Sequence, residues 1–160
     1  MKPTRTLNLF VIAAIVAIAS YFLAGALVSR GMPIPISPNT LLVTLAAIAT
    51  VLLLLSIPIW RYRSALKTST TRPKRVDPFY AVRVLLLSKA SSIAGAIFVG
   101  WHIGVVVYQL TGQVVVQALV FQNGLGIFAS LVLVVAAVVT EQICRLPQDP
   151  TPDPDQAVAS

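Results

Sequence analysis

Four apolar runs alternate with short polar stretches along the 160 residues of this chain. A bilayer core about 30 Å thick is crossed by about 20 helical residues. The runs at residues 7–28, 40–60, 82–108 and 122–143 each reach about that length. The pattern predicts an all-α polytopic membrane protein, four transmembrane helices in a small bundle. Residues 1–146 then form a single domain and residues 147–160 a tail.

Polar positions punctuate the runs. The first follows a basic head with Lys2 and Arg5 and ends near Ala24, Gly25 and Ala26, a pattern shared with signal peptides. A signal core is usually about 7–15 residues long, and this run is longer, so it reads as a transmembrane helix. Arg30 and Gly31 end it, and Pro33, Pro35 and Pro38 impose extended backbone on the loop that follows. Ser37 before Pro38 reads as the N-cap of the second span, which Pro58 closes or bends and Trp60 anchors at the interface. Asp77 before Pro78 repeats that cap signal ahead of the third span. Gln109, Gln113 and Gln117 recur every four residues, predicting a helical extension with one wet face. Gln122, Asn123 and Gly124 read as a polar break before the fourth span, and the Pro/Asp tail after Arg145 is expected to be disordered.

Composition strengthens the membrane reading. Apolar residues make up 57%, charged residues 11%, and the mean hydropathy is +0.86. An ordinary soluble domain has about 45–50% and about 25%. Cys144 is the only cysteine, so no disulfide forms within the chain, and an inert structural role is expected for it.

The net charge of +7 would raise nucleic acid as a partner for a soluble protein. Here the cations flank the spans, and no nucleic acid is expected. The head carries 2 Lys and Arg, the first loop 1, the second loop 6, the third loop 0 and the tail 1. With an even number of spans, the head, second loop and tail share a side, and the positive-inside rule makes that side cytoplasmic for both termini. Two readings remain for Arg61, Arg63, Lys67, Arg72, Lys74 and Arg75. They are a topology determinant, or they dock anionic lipid headgroups at about 1 kcal/mol per cation.

Arg83 and Lys89 lie next to or inside the third span, about 9 Å apart along it and about 120° around it. A charge at a helix centre is costly, so Arg83 is expected to reach the headgroups and Lys89 a partner. Glu141 is the candidate for an interhelical ion pair with Lys89; alternatively it pairs with Arg145 four residues on. Ser88, Ser92, Gly95 and His102 share one line at 3.6 residues per turn with Val99 and Val106, which predicts a helix-packing face. His102 is the sole histidine, with no carboxylate or thiol companion at ligand spacing, so it is expected to be neutral and hydrogen-bonded across helices. No catalytic, cofactor or metal site is spelled out.

Arg75-Val-Asp-Pro-Phe, Ala81-Val-Arg-Val-Leu, Ser88-Lys-Ala-Ser, Gly95, Gly100-Trp101 and the closing Glu141 with Cys144-Arg-Leu-Pro resemble the actinobacterial domain-of-unknown-function family 3180. His102 departs from the aromatic expected after the tryptophan. The resemblance implies a four-helix bacterial inner-membrane protein without an assigned activity, often encoded beside folate-biosynthesis genes. Three function classes follow. A non-enzymatic accessory, scaffold or assembly protein, with a membrane-protein partner or a second copy, fits a lone four-span chain. A small homo-oligomeric transporter would take an anionic pterin, folate or lipid phosphate through Arg83 and Lys89. An intramembrane enzyme lacks a nucleophile, base and orienting group at workable spacing.

Overall fold

In hydrocarbon no solvent pairs with the backbone, so an apolar run satisfies its amides within a helix. The computed structural model describes residues 6–68, 77–112 and 115–144. Among them the chain forms α1 (Thr6–Ser29), α2 (Asn39–Thr68), α3 (Pro78–Thr111) and α4 (Gln117–Cys144), and no strand. All four are long and apolar enough to cross a membrane.

Local chemistry sets the ends. Gly31 takes φ +78°, and the Gly31 and Met32 amides donate to the Val28 and Leu27 carbonyls at 2.9 and 3.1 Å. This is a helix stop for which glycine carries no Cβ penalty. At the start of α3, the Asp77 carboxylate accepts from the Phe79 amide at 2.9 Å, with Pro78 in the first turn. The cap leaves one fewer donor orphaned.

Several boundaries differ from the sequence reading. α2 runs through Pro58 to Thr68 instead of ending near Trp60, so Arg61, Arg63 and Lys67 ride on a helix. Proline removes one hydrogen bond, and the helix-compatible residues beyond it restore the ladder. α4 begins at Gln117, so Gln122, Asn123 and Gly124 lie inside it instead of breaking the chain. Gln109 is buried, not on a wet face, and Gln113 lies outside the described residues. α2 begins at Asn39, and the Ser37 hydroxyl, expected as its cap, turns to His102. Arg72, Lys74, Arg75 and the tail from residue 145 also lie outside the described residues.

α3 is the hub. It packs against α1 and α4, while α2 packs mainly on α4 and lightly on α3. Among the described residues α1 touches neither α2 nor α4. Leu45, Ala49 and Leu52 of α2 meet Leu133, Ala136 and Ala137 of α4 in one core cluster. Ile59, Ala81, Val84 and Cys144 form a second, beside which the Tyr80 hydroxyl donates to the Leu55 carbonyl at 2.9 Å.

The distribution of side chains is that of a protein dissolved in lipid. Phe10, Phe22, Phe121 and Phe128 face outward, and serines 20, 56, 88, 91, 92 and 130 are buried. Lipid tails are as apolar as leucine, so helices associate through close packing of small residues and polar contacts.

Candidate functional site

α3 carries two packing faces. Ser88, Ser92, Gly95 and His102 are all buried, and α4 lies against Gly95 and His102. A Cβ on Gly95 would meet Val134 Cγ2 at 2.7 Å, and one on Gly126 would run into the His102 imidazole. These contacts make α3 and α4 antiparallel. On the other face, a Cβ on Gly100 would strike the Ala13 carbonyl oxygen and one on Gly104 the Ala17 carbonyl oxygen, so α1 runs parallel to α3. The Ser20 hydroxyl lies within 3.4 Å of the Gly100 oxygen and 3.1 Å of the Ala17 oxygen. Sequence reasoning passed over this second face. Its signal was the glycine pair four residues apart, Gly100 and Gly104, a spacing that lets two helices approach closely.

A polar cluster fills the end of the bundle nearest the α1–α2 loop. His102 Nδ1 donates to the Phe98 carbonyl at 2.7 Å. In the neutral imidazole this leaves Nε2 to accept the Ser37 hydroxyl, 3.1 Å away. The partner therefore comes from the loop before α2, and not from another helix. Gln122 Nε2 donates to the Ser37 carbonyl at 3.1 Å and to Asn39 Oδ1 at 2.5 Å. Asn123 Nδ2 donates to the Pro35 and Leu119 carbonyls at 3.4 and 3.2 Å. Gln122 and Asn123, two of the three residues read as a break, are thus the donors that hold the proline loop.

Ser37 reaches deep. Its partner His102 lies nine residues before Thr111, the last residue of α3, which is about 14 Å along the axis. Irregular backbone at such depth is tolerated where protein surrounds it, and Ser37 is buried. Two amides nearby are not satisfied: both polar atoms of Gln109, and Asn123 Oδ1, are buried without a hydrogen-bond partner.

The ionisable residues lie toward the other end. Arg83 is exposed and Lys89 half-buried on α3, and Glu141 is buried on α4. About four turns along from the contact of His102 with Gly126, Glu141 comes level with Leu87 and Ser88, within about 3 Å axially of Lys89. Arg61 is exposed on the extension of α2, and Trp60 beside it is exposed as well. Cys144 is a buried thiol outside any disulfide. Among the described residues no three His, Cys, Asp or Glu side chains lie close enough to hold a metal ion.

Residues 9–148 match the model of a family described as protein of unknown function, DUF3180. The chain belongs to DUF3180. The match runs from the first turn of α1 past the end of α4, so both faces of α3 and the polar cluster lie within the DUF3180 region. No curated protein and no solved structure matches the chain.

Proposed function

We propose that this DUF3180 protein is a non-enzymatic accessory or assembly protein of the bacterial inner membrane. It crosses four times with both termini in the cytoplasm, and its α1 face receives a transmembrane partner. The observation that carries this reading is the one-sided attachment of α1. Only 11% of its most apolar window is buried, against 50% for α3, and α3 is its sole helical neighbour among the described residues. Phe10, Ile15, Ile18 and Phe22 all remain exposed along it.

This helix packs on α3 alone among the described residues, through Gly100, Gly104, Ser20 and the Tyr21–Tyr108 ring pair, and the rest of its surface is open to a partner. It suits a docking rail. The basic extension of α2, with Arg61, Arg63 and Lys67, and the cations beyond it keep that loop in the cytoplasm and sit among anionic headgroups. The chemistry on the page supports binding more than turnover. Both nitrogens of the one histidine are engaged, and the one thiol is buried.

A photocrosslinking residue placed at Ile15 or Phe22 in native membranes tests the partner. The expected outcome is one discrete adduct from α1, absent when the residue stands at Val135 of α4. Equal, diffuse lipid-only labelling at all three positions rejects a partner. Reporter fusions at Gly112 and Ser160 should report opposite sides of the membrane, and same-side signals reject the topology.

A further inference from the structure

Gln109 is 4% exposed and Asn123 is 1% exposed, yet the Gln109 Nε2 and Oε1 atoms and Asn123 Oδ1 have no partner. Buried side-chain amides are almost always hydrogen-bonded, so three unpaired atoms in one place call for an explanation. They do share one place. Gly126 faces His102 across the α3–α4 interface. Asn123 lies one turn from Gly126 and Gln109 two turns from His102, both in the direction of the α1–α2 loop, so the two amides are about one turn apart on facing helices. The Pro35 carbonyl closes over Asn123, and Ser37 over His102.

We propose that these two buried amides bind an uncharged ligand that both donates and accepts hydrogen bonds, a carboxamide being the simplest such group. The unpaired atoms select the chemistry. Gln109 Oε1 and Asn123 Oδ1 require donors, and Gln109 Nε2 requires an acceptor. A bare cation satisfies the two oxygens and is repelled by the amide N–H; an anion does the reverse. Neither is helped by a compensating charge among the described residues of this cluster, Gln109, Gln122, Asn123, Ser37 and His102, which are amides, a hydroxyl and an imidazole. An amide or a polyol presents both polarities at one site. The site is independent of the α1 face, since α1 packs on the opposite side of α3 through Gly100 and Gly104.

The test uses the full chain in phosphatidylcholine nanodiscs, whose headgroup carries no hydrogen-bond donor, with thermal unfolding followed by tryptophan fluorescence. Nicotinamide, an uncharged carboxamide, at ten times its dissociation constant should raise Tm by about 3–6 °C. A parallel arm replaces a tenth of the lipid with phosphatidylinositol. A shift there but not with nicotinamide assigns the same donor–acceptor chemistry to a lipid headgroup. Gln109→Leu should abolish the shift and raise the Tm of the unliganded protein, because it removes two unpaired atoms at similar volume. Gln109→Met makes the same comparison if the leucine variant fails to insert. No shift in either arm, a shift that survives in the variant, or a lower unliganded Tm in the variant, which would mean that ordered water already satisfies the amide, each overturns the assignment.

Discussion

Alanine at the glycines of α3 and α4 from Gly95 to Gly126 should give a graded series whose order is set by what the new Cβ meets. At Gly104 the obstacle is the Ala17 carbonyl with the Ser20 hydroxyl, and at Gly100 it is the Ala13 carbonyl. Both obstacles are backbone, which cannot rotate away, so α1 must move off α3. Overpacking of this kind costs about 1–3 kcal/mol. The better helix propensity of alanine returns up to about 1 kcal/mol of that. At Gly126 the obstacle is the imidazole of His102, pinned by two hydrogen bonds, and at Gly95 it is Val134 Cγ2, a methyl that can shift. At Gly124 nothing lies within 4 Å.

The expected order of destabilisation is therefore Gly104→Ala and Gly100→Ala first, then Gly126→Ala, then Gly95→Ala. Gly124→Ala is neutral or stabilising by up to about 1 kcal/mol. Steric-trap unfolding in bicelles reads each value, and crosslinking of a cysteine pair at Tyr21 and Tyr108, whose rings meet edge to face across the two helices, reports whether α1 has separated. If Gly104→Ala proves as stable as Gly124→Ala, with the α1–α3 crosslink intact, the close approach of these helices is wrong.

Three further outcomes follow from contacts already described. Lys89→Met combined with Glu141→Gln should lose less folded protein than either change alone if the two residues pair, and additive losses reject the pair. Ser37→Ala removes the hydroxyl from buried His102 and should cost about 1–3 kcal/mol; a double-mutant cycle with His102→Leu should show coupling, and independence of the two changes counts against the contact. Asp77→Ala should cost about 1 kcal/mol and speed amide exchange in the first turn of α3 only; unchanged exchange there rejects the cap.

Much of the fold was legible because lipid makes the rule simple. An apolar run of sufficient length is a helix, and Gly31, Asp77 and Pro78 end or begin one by local chemistry. The periodicity of α3 gathered Ser88, Ser92, Gly95 and His102 on one line, and all four are buried. What stayed hidden was tertiary. Gln122 and Asn123 look alike in sequence whether their amides face water or the carbonyls of Pro35 and Ser37. Gln109 read as wet for the same reason. The order of neighbours was also hidden, since consecutive elements usually pack together and α1 and α2 do not. Their nine-residue link, residues 30–38, crosses the end of the bundle and is held there by α4.

That arrangement bears on transport. Moving an anion or a proton through one protomer needs polar groups in sequence from Lys89 and Glu141 to the cluster around His102. Between Ser92 and His102, however, the buried residues of α3 include Gly95, Ala96 and Val99, with Val134 of α4 against Gly95, over a stretch of about 15 Å. Ser130 is the polar residue beside it, and its hydroxyl is committed to the Gly126 carbonyl at 2.7 Å. Arg83 is exposed and lies about 120° around α3 from Lys89, so the two cations do not converge on one substrate. Among the described residues this favours the accessory role proposed above over transport through one protomer. Liposomes containing the protein should hold a pH gradient and an anion gradient as well as empty ones do. Anion flux that disappears in Lys89→Ala, with the variant still inserted, would show that the apolar stretch opens or is bypassed between two copies, and would return the transporter to first place.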